Sequence, residues 1–356
     1  MKVGILTFHC ACNYGAVLQC YALKTYIASL GHDVSVIDYR PKAITDGYKW
    51  LDIRRFWGRT PSRFIEKTRA ELKVITSRRA RYTRFAEFVS SHLNLSPRVF
   101  AADPSTLQDY DLIIVGSDQV WNTTITKGYD PLYWGEFTHS KGQLVSYAAS
   151  MEDGAVDEKE VSARLKDFNK VSVRELSLAE RLTPLVDSGE VTAVVDPTLL
   201  LGRDGWDRLQ GREIEGDYLL FYQVRRSEKA YRAAQQLAKK KGLRFVCLSA
   251  KPELENSPEL AAASVEDFVT AFRNASYIVT TSFHGTAFSL IYEKDFICYE
   301  VEDGKGSRQR DLLSALGLDD RITSAPEGLR PISWEDVRER MSVLTSKSKL
   351  FINDCL

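Results

Sequence analysis

Two successive series of short apolar runs, each run followed by a stretch of helical period, constrain this chain more than any other feature. Near the N-terminus, "KVGILTF" (2–8) reads as a buried strand. "AVLQCYALKTYIASLG" (16–31) then carries apolar residues at helical spacing up to a glycine stop, and "DVSVIDY" (33–39) is the next strand. This βαβ unit predicts a doubly wound parallel sheet. Further strands are expected in 110–118, 142–150, 171–173 and 191–201, the last ended by Asp196-Pro197, with helices over 157–170 and 174–182. Residues 41–105 are less regular and hold one long helical pattern near 78–92. The second series has strands at 218–224, 244–250, 277–282 and 296–300, separated by helices over 227–241 and 265–275 and one from near Gly285. Residues 308–318 read as a short amphipathic helix, and 333–354 as a terminal helix with Ser333 as N-cap. The pattern predicts an α/β chain of two Rossmann-like halves with a cleft between them and a boundary near 200–215.

A length of 356 residues suits two domains of about 150 residues each. Forty-eight Lys and Arg balance 48 Asp and Glu, so overall charge lends no support to a nucleic-acid partner. The segment 54–84 is locally basic; a solvated helical insertion is the expected reading, and a phosphate or anionic membrane surface the competing one. "MKVGILTF" suits a first strand better than a secretory leader. No apolar run approaches the roughly 20 residues that cross a bilayer. Six cysteines without regular spacing suggest free thiols in a reducing cytoplasm. Three of them crowd with His9 into "HCACNYGAVLQC" (9–20), but Cys-x-Cys with a third cysteine eight residues on matches no common zinc spacing. Cys20 is expected as a small core residue of the first helix.

Ligands of open α/β sheets collect beyond the carboxyl ends of the strands, which directs attention to particular junctions. In "TTSFHGTAFSLIY" (280–292) a strand ends at Ser282, His284 sits in the turn, and Gly285-Thr286 open a helix. A helix N-terminus favours an anion, and a histidine beside one is placed for general acid or base work. A histidine that merely caps the turn is the competing reading. In "VSVRE" (171–175), Arg174 starts a helix, where the dipole disfavours a cation unless an anion or an acidic side chain pairs with it. In "EDGKGSRQRDLL" (302–313), Lys305 and Arg308 flank a glycine-rich turn before a helix, an anion cradle or a solvated loop. In "VGSDQVWN" (115–122), Asp118, Gln119, Trp121 and Asn122 combine hydrogen-bonding groups with an aromatic face. That mixture suits a sugar, or else an Asx turn beside a packed tryptophan. At the first strand end, Asn13 and Gly15 form the turn into the helix, and Tyr14 offers a ring and hydroxyl to a sugar or packs beside the sheet. A dinucleotide fingerprint, a phosphate loop, HExxH, paired CxxC and a GxSxG elbow are all missing from the sequence.

Taken in order, "NYGAVLQCYAL", "YDLIIVGSDQVWN", "SYAAS", "VSVRE", "VVDPTLLL", "TSFHGTAFSLIY" and "SRQRDLLSALGLDDR" span residues 13 to 321. Together they resemble the polysaccharide pyruvyl transferase family of bacterial surface-glycan synthesis. The resemblance implies a GT-B-like fold of two Rossmann-like domains facing across a cleft, with a C-terminal helix. The implied division is an acceptor-side domain over 1–205 with a variable insertion at 41–105, a donor-side domain over 206–330, and a helix over 331–356. It further implies transfer of a pyruvyl group from phosphoenolpyruvate to sugar hydroxyls as a ketal, with no metal and no cofactor. The family's donor-binding arginine falls on Arg174, its catalytic histidine on His284, and its second cationic donor ligand on Arg308, with Lys305 as a neighbouring candidate. Ser282, Gly285 and Thr286 would complete the donor site; Asn13, Tyr14, Gly15, Asp118, Gln119, Trp121 and Asn122 would line the acceptor side. The expected partner is a glycan or lipid-linked oligosaccharide, which would bring the protein to the cytoplasmic face of the membrane. A nucleotide-sugar glycosyltransferase and a non-catalytic glycan-binding protein on the same scaffold are the alternatives.

Overall fold

Parallel strands that are covered on both faces read as continuous apolar runs, and those runs build both sheets of this protein. A computed structural model describes the chain apart from residues 50, 52–60, 104, 138–141, 152–156, 188, 252–253, 255, 300–306 and 326–327. The first half runs β1 (Lys2–Leu6), α1 (Tyr14–Ser29), β2 (Asp33–Tyr39), α2 (Lys42–Thr45), α3 (Pro61–His92), β3 (Leu95–Val99) and β4 (Leu112–Asp118). It continues through α4 (Thr123–Thr126), β5 (Gln143–Ala149), α5 (Glu158–Leu165), β6 (Ser172–Val173), α6 (Leu176–Leu182), β7 (Thr192–Ala193) and α7 (Gly202–Trp206). The second half runs β8 (Tyr218–Gln223), α8 (Glu228–Lys241), β9 (Arg244–Ser249), α9 (Val265–Asn274), β10 (Tyr277–Thr280), α10 (Phe283–Ile291), β11 (Phe296–Cys298) and α11 (Ser307–Ala315). Helix α12 (Trp334–Asn353) closes the chain.

Among the described residues the strands form a seven-stranded sheet in the order β3-β2-β1-β4-β5-β6-β7 and a four-stranded sheet in the order β11-β10-β8-β9. The ladders are parallel throughout. Strand order reverses between β1 and β4 in one sheet and between β8 and β10 in the other, and crevices open at such switch points. Helix α1 is buried over every residue from Tyr14 to Leu23, as a helix must be when both of its sides meet protein. It packs on β2 and β4 on one side and on α9 on the other. A single apolar cluster therefore runs from β1 through α1 into β8, α9 and α10. Helix α12 returns to the first sheet: Ser348 Oγ accepts from the Val195 amide at 2.9 Å, and Phe351 lies against Tyr147. Two Rossmann-like sheets joined in this way, with a returning C-terminal helix, make the GT-B-like arrangement expected from the sequence.

Three differences from the expected elements have physical causes. The strand expected through Val195 pairs with β6 only over Thr192–Ala193, because the Val195 amide goes to Ser348 and Pro197 opens a one-turn 3-10 helix. Helix α3 starts at Pro61 rather than near 78, with proline at its first position, where a missing N–H costs nothing. The less regular segment also holds β3, which pairs with β2. Of the basic segment 54–84, residues 54–60 lie outside the described residues, and two of its arginines bond to backbone carbonyls of the second half, Arg84 while still partly exposed. Arg81 is fully buried and donates to the Ser249 carbonyl at 2.8 Å, while Arg84 donates to the Ala262 carbonyl at 2.6 Å. These guanidiniums join α3 to the second half.

Candidate active site

The N-terminal turn of α10 is built by Ser282, whose Oγ accepts from the Gly285 amide at 3.4 Å and whose carbonyl accepts from the Thr286 amide at 2.9 Å. That cap presents His284 toward α1. A Cβ built on Gly15 would lie 2.0 Å from His284 Nδ1, so only glycine lets the imidazole rest on the first turn of α1. Asn13 caps the same helix, its side chain accepting from the Ala16 amide at 3.4 Å.

Arg174 leaves the end of β6 and crosses to the same place. Its Nη1 donates to Asp196 Oδ2 at 2.9 Å, Nε reaches Glu175 Oε1 at 3.5 Å, and Nη2 lies 3.9 Å from Asp118 Oδ1. The guanidinium carbon stands 4.6 Å from the centre of the Phe283 ring. Asp196 ties the two halves together. Its Oδ1 accepts from the amide and hydroxyl of Thr198 at 3.0 and 2.8 Å, and its Oδ2 lies 3.6 Å from His284 Nε2. Burial pushes the Asp196 carboxyl up, but His284, Arg174 and the Thr198 amide together outweigh burial and hold it well below the usual carboxylate range. It is therefore a fixed negative charge between an arginine and a histidine.

The other carboxyl of this cluster behaves in the opposite way. Glu175 is buried and accepts from Ser150 Oγ at 2.6 Å; desolvation raises its carboxyl, and the opposing pull of Arg174, Ser150 and Arg308 does not cancel the rise. Arg308, on the first turn of α11, is depressed by burial and then by the nearby positive charge of Arg174. Two guanidiniums near enough to repel one another gain from an anion between them. Arg174 Nη2 and His284 Nε2 are, in addition, buried polar atoms with no hydrogen-bond partner. A carboxylate stands 3.9 Å from the first and 3.6 Å from the second, too far for a hydrogen bond, so an incoming acceptor can complete the bonding of each.

The structure thus brings His284, Arg174, Arg308, Ser282 and Asp118 together, and leaves Gln119 half-buried at the end of β4. Several expected contacts are corrected. Tyr14 is fully buried, donates its hydroxyl to the Ala263 carbonyl at 2.9 Å and stacks on Phe268 at 4.9 Å, so it pins α1 to the second half and offers no face to a sugar. Trp121 stacks on Trp134 at 5.0 Å and donates Nε1 to the Tyr133 carbonyl at 2.8 Å, which makes it core. Asn122 is spent as the cap of α4, accepting from the Thr124 amide at 3.0 Å. The amides of Gly285 and Thr286 are likewise engaged by Ser282, and a Cβ on Gly285 would meet Thr280 Oγ1. Gly285 serves packing against β10 and β8, and neither amide is free for a donor. Lys305 lies outside the described residues. Asp196, Glu175 and Ser150 join the site although no local pattern marks them for it; each stands inside a quoted motif, and the Asp-Pro break after an apolar run is the available signal.

Cys10 and Cys12 do not join this cluster. Burial pushes their thiols up to about 11 and about 12, and Cys20 is a fully buried core residue of α1. Among the described residues no group of three or more His, Cys, Asp or Glu is placed to hold a metal ion, and no helix is long and apolar enough to cross a membrane.

A family model described as polysaccharide pyruvyl transferase matches residues 13–303. No curated protein sequence matches the chain. Similar solved structures include a UDP-GlcNAc 2-epimerase of Neisseria meningitidis bound to UDP-GlcNAc, at 10% identity and a TM-score of 0.49, covering 99% of each chain. An S. aureus MnaA–UDP co-structure shares 11% identity at a TM-score of 0.48, covering 99% of this chain and 95% of that one. The E. coli heptosyltransferase WaaC with ADP shares 13% identity at a TM-score of 0.40, covering 100% of both. Likenesses this distant say nothing of what this chain binds.

Proposed function

The chain belongs to the polysaccharide pyruvyl transferase family, and on that premise we propose that it moves the pyruvyl group of phosphoenolpyruvate onto two hydroxyls of a bacterial surface glycan or its precursor. The observation that carries this reading is the meeting of Arg174, Arg308 and His284 around Asp196, with one buried arginine nitrogen and one buried imidazole nitrogen facing a carboxylate but making no hydrogen bond. Phosphoenolpyruvate is rich in negative charge, and its carboxylate and phosphate match guanidinium forks rather than an apolar slot. Arg174 and Arg308 hold those groups, with Lys305 a neighbouring candidate. His284 is the general acid/base, poised by the fixed charge of Asp196.

Protonation at the methylene carbon turns it into a methyl group and leaves an oxocarbenium-like centre at C2. One sugar hydroxyl attacks that centre, the C2–O bond to phosphate breaks, and a second hydroxyl closes the ketal. Of the two hydroxyl protons, one is balanced by the new methyl hydrogen and the other leaves with phosphate. Asp118 and Gln119, at the mouth of the β1/β4 switch point, face the acceptor. A lipid-linked oligosaccharide as acceptor would bring the enzyme to the cytoplasmic face of the membrane.

Thermal shift tests the donor directly. Phosphoenolpyruvate at about 100 times its dissociation constant adds roughly 2.7 kcal/mol of stability, and Arg308→Met should remove most of that shift. UDP and GDP should shift the protein less than phosphoenolpyruvate; a larger nucleotide shift would mark a nucleotide-sugar enzyme instead. With a glycan acceptor, His284→Ala should slow phosphate release by about 10²–10⁴-fold, and near-normal release would sink the role given to His284.

A further inference from the structure

Beside the cluster just described lies a cavity of about 340 Å³ in the first half, lined in part by His9 to Cys12 of the cysteine-rich stretch. This is within the range of roughly 300–1,000 Å³ typical of small-molecule sites. One wall is the loop after β1, with His9 and Cys12; another is the segment after β2, with Arg40 and Tyr48; the third is the α3 face that carries Tyr82 and Phe85. It therefore opens beyond the carboxyl ends of β1 and β2, where such sheets collect ligands.

The charges in its walls are matched. Arg40 Nη2 donates to Asp38 Oδ2 at 3.0 Å while its Nε pairs with Oδ1 of the same carboxylate, and His9 Nε2 approaches that Oδ1 at 3.1 Å. Lys49 pairs with Asp46 at 2.7 Å. Among the described lining residues Arg40 and Lys49 each already face a carboxylate, so an anion is a poor fit. Apolar side chains such as Phe85, Ala86, Val89 and Leu95 make up most of the lining, and a few polar groups interrupt it. Hydroxyls of Thr45 and Ser90 line the space and donate to the Pro41 and Glu87 carbonyls, which leaves their oxygens free to accept. Tyr82 adds an aromatic face that is 42% exposed. A ring of this kind next to hydroxyls suits a neutral polyhydroxylated ring, whose C–H faces stack while its hydroxyls pair. A chain of contacts leads from the cavity to the reacting end: the Tyr48 hydroxyl is hydrogen-bonded to the Asn13 side chain, and Asn13 caps the helix on which His284 rests.

We propose that this cavity is the subsite for a neutral pyranose residue of the acceptor glycan, with Tyr82 as its stacking face and Tyr48 between that residue and the reacting hydroxyls. The assignment of the sugar as an acceptor rests on the pyruvyl-transfer reading; the sugar site itself does not. Saturation-transfer NMR with methyl pyranosides of glucose, galactose, mannose and N-acetylglucosamine tests it. At least one of the four should give a signal with the wild-type protein, kept within twofold in Tyr82→Phe and reduced at least fivefold in Tyr82→Ala. Ala86→Trp, which fills the cavity from α3, should abolish the signal as well and decides the matter should Tyr82→Ala fold poorly. The phosphoenolpyruvate thermal shift should be the same in all of these proteins. Silence from all four sugars, or full binding by both Tyr82→Ala and Ala86→Trp, overturns the proposal. Sugar binding that follows these variants without any phosphoenolpyruvate shift in the wild type overturns the pyruvyl-transfer reading and leaves the sugar subsite in place.

Discussion

Gly15→Ala tests the contact on which the candidate site depends. A methyl group at this position would sit 2.0 Å from His284 Nδ1 and 2.4 Å from Cε1. The ring would have to retreat by about 1.4 Å, the gap between 2.0 Å and the 3.4 Å at which ordinary contact begins. Overpacking of this kind costs about 1–3 kcal/mol. Against it stands the better helix propensity of alanine, at most about 1 kcal/mol, so the variant should lose on the order of 1 kcal/mol and its Tm should fall by about 2–4 °C. The sign should reverse once the obstacle is gone: in a His284→Ala background the same substitution should be neutral or stabilising. A displacement of about 1 Å in a reacting group costs about 10²-fold in rate, so phosphate release should fall by that order in the Gly15→Ala single variant. Differential scanning calorimetry of the four proteins of this cycle gives the coupling, expected at about 1–3 kcal/mol for residues in contact. Equal destabilisation in both backgrounds, or a rise in Tm for the single variant, would refute the packing of His284 on α1.

Asp196→Asn leaves Arg174 buried with its nearest charge removed and should cost about 3–5 kcal/mol, read as a lower Tm. Native Asp196 binds fewer protons than the unfolded chain, so its stabilisation is complete above the ordinary aspartate value near ~3.9 and is lost as pH falls below it. The acid limb of Tm against pH should accordingly be shallower in the variant, and identical limbs would count against the pairing. Trp121→Phe should lower stability by about 1–3 kcal/mol through the lost bond to the Tyr133 carbonyl. It should leave the phosphoenolpyruvate shift intact, whereas a lost shift would put the indole back in the site. At pH 8 a disulfide reagent should label Cys10 and Cys12 at least ~100-fold more slowly than free cysteine, because their thiols stay protonated. Labelling at the free-cysteine rate would contradict that burial.

Much of the architecture was legible before any coordinates. Strand β2 falls on the run read from the sequence, residue for residue, and β4, β5, β8, β9 and β10 differ from theirs only at the ends, because a covered parallel strand must be apolar along its whole length. His284 and Arg174 were legible too, since each directly follows such a run. The side chains of "DQVWN" and "NYG" were not. Their residue types suit a sugar and a protein core equally well, and the outcome turned on solvent: Asp118 and Gln119 keep some, while Trp121, Asn122 and Tyr14 keep almost none. The basic face of α3 was open for the same reason, as an arginine that binds a backbone carbonyl reads like one that binds water.

What local sequence determined here is the alternation of strands and helices and the turns at their ends, because period, capping and turn chemistry act over a few residues. What tertiary structure alone decided is which of those turns meet. Asp196, 22 residues from Arg174 and 88 from His284, becomes the charge between them only when the two sheets close on α1. Gly15 matters only because a ring 269 residues away lies on it. Contacts across such separations leave no mark in the local pattern, since either partner alone satisfies its own strand, helix or turn without the other.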